Sequence, residues 1–199
     1  LFLKIVYFKY VELFMFSMAN FPYSNQSGPS MRVRYNGLFD FDTLYAALID
    51  WGKNYGYKVH EKQYKHKIPS PKGAEQEIKI DFLKNVTDFV KYTILIHIHV
   101  WDMTEVKVDV DGRKKQLTNA RIEVKIDYIV DVDWQRKFKG DGWLIKKMST
   151  WYAQIMGPNI ESTYFDGLHY RVINLQSMVK KYFDMQSKAH PYEGYLGEN

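Results

Sequence analysis

The sequence predicts an α+β fold, in which a curved antiparallel sheet has a helix after its first strand and two C-terminal helices packed on one face. Residues 92–135 alternate between apolar and polar, which is typical of strands with one buried face. Apolar residues recur at helical spacing after the first strand and again near the C-terminus. Aromatic residues make up 17% and charged residues 26% of the chain, so core material is plentiful and the charge content is that of an ordinary globular domain.

The first 30 residues differ in composition from the rest and are predicted to form an apolar arm and a linker. Three charged residues interrupt the arm, Lys4, Lys9 and Glu12. Residues 1–21 therefore fit neither a membrane-spanning helix nor a signal peptide. Three interpretations stay open: an interfacial membrane anchor, a strand or helix packed on the body, or sequence upstream of a true start at Met18 or Met31. Residues 22–30 are rich in turn formers and read as the linker.

The folded domain is predicted to span residues 31–188 and to begin with a strand and a helix. Residues 31–36 alternate as a short strand does. Asp40 or Asp42 can cap the helix that follows, and Gly56 is placed to end it in the left-handed conformation. The apolar stripe of this helix comprises Leu44, Leu48, Trp51 and Tyr55.

Four more strands are predicted in the middle of the chain. Residues 59–68 and 77–83 are two candidates, separated by a loop of proline, serine and glycine. In residues 92–110 and 120–134 the apolar side chains occupy the even positions, and most odd positions of the second segment are charged. Each of these two segments therefore has one apolar and one polar face.

The connection between the two alternating strands is constrained by parity. Asp111 and Gly112 suggest a two-residue turn, but such a turn would pair even residues with odd ones. Directly paired residues share a face, so the two apolar faces would then lie on opposite sides. The connection must be odd in length or contain a bulge. We expect a loop over residues 111–119, with Val110 opposite Ala120.

Two helices are predicted to close the domain. The stripe of the first comprises Leu144, Met148, Trp151 and Ile155, and Gly157 and Pro158 end this helix. The stripe of the second comprises Leu168, Val172, Leu175, Val179 and Tyr182. Residues 189–199 are expected to form a frayed tail.

This order of elements is similar to that of the Bet v 1/START-like helix-grip superfamily, whose sheet curls round the last helix and often leaves a ligand cavity. Two C-terminal helices in place of one depart from that pattern. Separately, the segments MRVRYNGLFDFDTLY, WQRKF and FDMQSK resemble small uncharacterised proteins of archaeal metagenomes. That resemblance spans residues 31–188 and implies an archaeal or archaeal-virus source without implying any chemistry.

One candidate metal site follows from the predicted register. His97 and His99 share the polar face of their strand, and the loop over residues 111–119 would place them opposite Asp133 and Asp131. Two imidazoles and two carboxylates could hold Zn²⁺ or Fe²⁺. The alternative is that both histidines are half-exposed strand residues without a ligand. The chain has no cysteine, which excludes disulfides, thiolate metal sites and a cysteine nucleophile.

Basic clusters provide a second candidate site. The net charge is +5 and the isoelectric point is about 9.1, which favours acidic partners such as nucleic acid or an anionic membrane. The cationic residues that could neutralise a nucleic-acid backbone are Lys62, Lys65, Lys67, Arg113, Lys114, Lys115, Arg136 and Lys137. Tyr64, Trp134 and Phe138 lie near them in the sequence and could stack on bases. The alternative is ordinary solvation of loops and helix ends.

No phosphate-binding glycine loop or nucleophile elbow occurs in the sequence, and no cofactor is predicted. This favours a non-enzymatic binding or structural module, cellular or viral. The alternatives are a nucleic-acid-binding protein that uses its basic loops and a helix-grip-like carrier or enzyme for a small ligand. Candidate partners are another protein, a second copy of the chain, nucleic acid, and a membrane contacted peripherally through residues 1–21. A cytoplasmic location is expected, since the absence of cysteine is compatible with a reducing compartment, and a cysteine-free secreted protein is the alternative.

Overall fold

The α+β prediction is confirmed by a computed structural model, which describes residues 25–70, 73–110, 113–138, 142–183 and 185. The strands are β1 (Gln26–Ser27), β2 (Met31–Phe39), β3 (Lys58–Ser70), β4 (Gly73–Asn85), β5 (Val90–Val110) and β6 (Arg113–Val132). The helices are α1 (Phe41–Asn54), α2 (Trp143–Asn159) and α3 (Asp166–Tyr182), with a π-helical turn (Ile160–Phe165) between the last two. The predicted arm over residues 1–21 and the tail over residues 189–199 lie outside the described residues.

The described strands form one antiparallel sheet in the order β1, β6, β5, β4, β3, with β2 also paired to β6. The two N-terminal strands share one side of β6. Gln26 of β1 pairs with Val130, and β2 pairs along β6 from Met31 opposite Ile126 to Phe39 opposite Thr118. The N-terminal strands thus form one edge of the sheet, beside β6.

A bulge in β5, and not a long loop, reconciles a two-residue connection between β5 and β6 with the pairing of even residues farther along the strands. Val110 pairs with Arg113 across a two-residue connection, and Trp101 pairs with Arg121. The register shifts by one between Trp101 and Thr104, where Asp102 has a φ of 55°. Before the bulge, even residues of both strands pair on the apolar face, as Val100 does with Ile122. Beyond the bulge, Val106 pairs with Leu117 on the polar face and is 36% exposed, so the predicted apolar face of β5 does not continue past the bulge. The expected loop over residues 111–119 was wrong because β6 already begins at Arg113.

The core lies between the apolar face of the sheet and helices α1 and α3. Both predicted stripes are confirmed for their central residues, Leu44, Leu48, Trp51, Leu168, Val172, Leu175 and Val179, which are at most 7% exposed. Tyr55 and Tyr182, at the ends of the stripes, are 39% exposed. The Asp40 carboxylate accepts a hydrogen bond from the Thr43 amide at 3.0 Å and so caps α1 as predicted.

The opposite face of the sheet, here called the polar face, is formed by the odd-numbered residues of β4 and β6, those of β5 up to Trp101, and the even-numbered residues of β2. Its side chains are mostly charged or polar and mostly half-buried or exposed. The stripes of α1 and α3 pack on the apolar face. None of the described helices combines the length and apolar content needed to cross a membrane.

Candidate functional site

The structure does not bring the predicted metal ligands together. His97 pairs with Lys125, which lies eight residues before Asp133, and His99 pairs with Glu123. Asp131 pairs with Lys91 at the far end of the strands. The predicted opposition was wrong because it depended on the loop that the bulge replaces. In the part of the chain that the structure describes, no group of three or more His, Asp or Glu side chains could hold a metal ion.

The two histidines have carboxylate partners on the neighbouring strand. His97 Nε2 lies 2.8 Å from Glu77 Oε1, and His99 Nε2 lies 2.7 Å from Glu75 Oε1. Hydrogen bonds from Lys67 and then from His99 hold the pKa of Glu75 below its usual range. These are cross-strand pairs of the polar face, and each imidazole is held in a fixed orientation by its pair.

The two aspartates differ in their surroundings. The Asp133 carboxylate accepts hydrogen bonds from the amides of Lys137 and Phe138 at 2.7 and 2.9 Å. It is 7% exposed and caps the turn that follows β6. These contacts give Asp133 a structural role that the sequence did not indicate. At Asp131, by contrast, burial raises the pKa of the carboxyl above its ordinary value.

The predicted nucleic-acid residues do not form one footprint. On strand β3, Lys62, Lys65 and Lys67 lie 2.5, 3.7 and 2.7 Å from the carboxylates of Asp81, Glu77 and Glu75, respectively. Arg113, Lys114 and Lys115 begin β6, and their side chains lie outside the described ones. Arg136 and Lys137 follow the other end of β6, up to roughly 60 Å away at about 3.3 Å per residue. The first cluster is neutralised by carboxylates, and the other two are far apart.

Helix α2 has an exposed apolar surface that was predicted to be buried. Six large apolar side chains of this helix are exposed: Trp143 (70%), Leu144 (57%), Ile145 (37%), Met148 (60%), Trp151 (63%) and Ile155 (55%). We call these residues the α2 patch. The buried residues of α2 are instead the small Ser149, Ala153 and Gly157. The predicted stripe was therefore assigned to the wrong side of the helix.

Small residues at every fourth position explain this orientation. Ser149, Ala153 and Gly157 lie on one helical face, and their small side chains allow a helix to approach its neighbours closely. An aromatic cluster fixes α2 beside the ends of β5 and β6. The Tyr152 ring centroid lies 5.3 Å from that of Phe89 and 5.6 Å from that of Phe138. The spacing of small residues was the sequence signal that could have identified the buried face.

The segment of the sequence that contains α2 is rich in positive charge. Residues 134–158 contain five basic residues and one acidic residue, a net charge of +4 against +5 for the whole chain. The basic residues are Arg136, Lys137, Lys139, Lys146 and Lys147. On α2, Lys147 lies three residues after Leu144 and four before Trp151, so it borders the apolar patch directly. Lys146 and Lys147 therefore make the exposed surface of α2 cationic as well as apolar.

Comparison with models of known protein families and with curated protein sequences gives no match for this chain.

Proposed function

We propose that the protein is a non-enzymatic interaction module that binds the surface of an anionic lipid bilayer through the α2 patch. The supporting observation is that six large apolar side chains of one helix are exposed while its small residues face the body. Exposed apolar surfaces of this kind mark sites of contact with a membrane or a protein. The surrounding charge favours the anionic membrane.

The energetic terms support binding in the interfacial plane. An amphipathic helix with basic residues and with Trp and Leu buries its apolar face about 5–10 Å into the boundary between headgroups and acyl chains. Each large side chain removed from water contributes up to about 1.5–3 kcal/mol. Each Lys or Arg near an anionic surface adds about 1 kcal/mol. Trp143 and Trp151 are of the residue type that prefers the membrane interface.

The position of the N-terminal strand is compatible with this orientation. Gln26 pairs with Val130, close to the end of β6 from which the chain continues to α2. The chain therefore enters β1 at the end of the sheet from which β6 continues to α2. If the apolar segment over residues 1–21 is an interfacial anchor, as one interpretation of the sequence holds, it would add to the same membrane contact.

Other expectations from the sequence stay predictions. These are the similarity to the helix-grip superfamily, the archaeal source, the cytoplasmic location and the nucleic-acid role of the basic loops. Binding to a second copy of the chain through the α2 patch is the main competing use of this surface, and the experiment below separates it from membrane binding.

Sedimentation of the full chain with lipid vesicles tests the proposal. We expect strong binding to vesicles of phosphatidylcholine and phosphatidylserine, weaker binding to phosphatidylcholine alone, and weakening of the anionic binding by salt. Replacing Leu144, Met148 and Trp151 with Ser should reduce binding at least tenfold. The K146E/K147E variant should lose the preference for the anionic lipid. Tyr170→Ser is the matched control, because Tyr170 is 69% exposed on α3 and lies outside the patch.

Two results would count against the proposal. If the triple serine variant binds vesicles as well as the wild type, the membrane contact lies elsewhere, with residues 1–21 as the first candidate. If light scattering shows a dimer of the wild type that the triple variant loses, and no vesicle binding occurs, the patch is an interface between two copies.

A further inference from the structure

The polar face has an open pocket of about 470 Å³ on the side of the sheet away from the core. It is lined by side chains of three strands, among them Arg34 and Asn36 of β2, Trp101 of β5, and Arg121 and Glu123 of β6. Trp101 pairs with Arg121, which also pairs with Asn36. An aromatic ring, a cation and an amide therefore lie in one row across the sheet.

An aromatic platform of fixed orientation forms one wall of the pocket. The Trp101 ring stacks on the His99 imidazole, with centroids 3.9 Å apart and planes inclined by 28°. The imidazole is itself held by Glu75, whose Oε1 lies 2.7 Å from Nε2. Base stacking on an aromatic side chain contributes about 1–3 kcal/mol and tolerates any base. A ring already held in place loses little conformational freedom on binding.

Arginine side chains border the platform. Arg34 is 67% exposed, and its Nε hydrogen-bonds to Glu123. Arg121 is 58% exposed and contacts Asp102 through Nε and Nη2 at 2.8 and 2.7 Å. A guanidinium has five N–H donors, so both residues keep donors beyond those used in these contacts. Arg32 lies 3.5 Å from Glu123 as well, which leaves three arginines with two carboxylate partners.

The remaining polar groups could read a base edge. The amide of Asn36 both donates and accepts hydrogen bonds, and the carboxylate of Glu123 accepts them. Single-stranded nucleic acid is recognised through such contacts, with bases splayed onto aromatic rings. Because the pocket is open on the surface of the sheet, a single strand of nucleic acid could enter it on one side and leave on the other.

We propose that this pocket binds a nucleotide unit, with the base stacked on Trp101 and the phosphate held by Arg34 and Arg121. A single strand of nucleic acid and a free nucleotide share this chemistry. The site is distinct from the nucleic-acid residues predicted from the sequence, none of which lines the pocket. It also shares no residue with the α2 patch, so this inference does not depend on membrane binding.

Fluorescence anisotropy of the full chain with a labelled oligouridylate and a labelled oligothymidylate of 12 nucleotides tests the proposal. We expect binding to the single strands that weakens as salt increases, and weaker binding to a duplex of the same length. Trp101→Ala should reduce affinity at least tenfold, whereas Trp101→Phe should retain most of it. Removing Arg34 and Arg121 together should reduce affinity and lower the salt slope by about 0.7, because both arginines contact the same phosphate and each phosphate contact in a single strand contributes about 0.7.

Controls separate the sources of the ligand and the sites on the protein. Trp143→Ala removes an exposed Trp of the α2 patch and should leave nucleotide binding unchanged. Free UMP and AMP are added as competitors. If UMP or AMP displaces the labelled oligonucleotide at concentrations similar to that of the oligonucleotide, the pocket is assigned to free nucleotides. If displacement is weak, the pocket is assigned to a single strand of nucleic acid.

Two outcomes would overturn the inference. One is that the wild type binds neither a strand nor a free nucleotide, which leaves the pocket to a protein partner or to solvent. The other is that Trp101→Ala and Arg34→Ala both bind as tightly as the wild type, which places binding in the basic loops. Arg34 is largely exposed, so its variant gives a result even if Trp101→Ala does not fold.

Discussion

The ring of Tyr128 occupies the space that a side chain at Gly28 would need. A Cβ atom added to Gly28 would lie 1.9 Å from the ring carbon Cζ of Tyr128. The Gly28 amide also donates to the Tyr128 carbonyl at 3.3 Å, and the Tyr128 hydroxyl is hydrogen-bonded to His169 Nδ1 of α3. The link between β1 and β2 is thus packed directly on a fully buried ring that is connected to the last helix.

This contact predicts that Gly28→Ala destabilises the protein by about 1–3 kcal/mol, because overpacking forces a side chain or the backbone to shift. Gly167→Ala is the matched control, since an added Cβ there meets no atom within 4 Å and lies in a helix. That change should be neutral or stabilise by up to about 1 kcal/mol. Urea unfolding midpoints measure both, and equal effects would contradict the packing described.

The orientation of α2 predicts opposite results for two leucines. Leu168 of α3 is 0% exposed and Leu144 of α2 is 57% exposed. Leu168→Ala should cost about 2–5 kcal/mol through lost burial and a cavity. Leu144→Ala should change the free energy of unfolding by less than about 0.5 kcal/mol, as surface substitutions do. Chemical denaturation of both variants without lipid checks this, and a large loss in Leu144→Ala would mean that the chain itself covers the patch.

Tyr92 predicts an alkaline dependence of stability. Burial raises its pKa from 10.0 to about 12, and its hydroxyl donates to the Tyr164 carbonyl at 3.0 Å. Because the folded state holds this proton more tightly, the contribution of Tyr92 is complete below pH 10 and is lost as the pH rises from 10 to 12. The loss reaches about 3 kcal/mol.

The Tyr92→Phe variant isolates this effect. It lacks the hydrogen bond and should be about 1 kcal/mol less stable than the wild type at pH 8. The difference should shrink or reverse between pH 10 and 12, because the variant has no proton to lose there. Urea unfolding at several pH values measures it, with Tyr170→Phe as an exposed control. A constant difference across this range would contradict the buried environment of Tyr92.

The sheet could be predicted from the sequence because strand faces follow from parity alone. The alternation identified the buried side chains of β5 from Tyr92 to Val100 and of β6 from Ala120 to Val132, but it failed beyond the bulge, where Val106 is 36% exposed. Register depends instead on where one extra residue is placed, and no glycine or proline marks the bulge at Asp102. Since the predicted β6 partners of His97 and His99 depended on that register, the candidate metal site was misplaced with it.

The buried side of α2 could not be predicted from apolar periodicity, which identifies a stripe but not what covers it. In α1 and α3 the stripe faces the sheet, because these helices supply the large side chains of the core. In α2 the core accepts Ala153, and Trp151 faces solvent.

The pocket beside Trp101 could not be predicted either. It joins residues of β2, β5 and β6 that are up to 89 positions apart, and no local motif could have indicated it.

The two aspartates of the predicted metal site provide a last test, because the structure assigns them opposite effects. Asp133→Ala should destabilise by about 2 kcal/mol, since it leaves the amides of Lys137 and Phe138 without their acceptor. Its φ of 60° adds strain for Ala. Asp133→Asn, which keeps one acceptor oxygen and tolerates this φ, should lose less.

Asp131→Asn should leave stability at pH 7 unchanged or increase it. Burial raises the pKa of Asp131, so its ionised form is disfavoured in the folded state, and a neutral amide removes that penalty. Thermal unfolding with and without excess zinc measures all three variants and the wild type. We expect zinc to leave the wild-type midpoint unchanged, because the described residues do not bring the predicted ligands together. A metal bound only by the folded state would raise that midpoint. A rise in that midpoint that is lost in both Asp131→Asn and Asp133→Ala would mean that these carboxylates hold a metal after all.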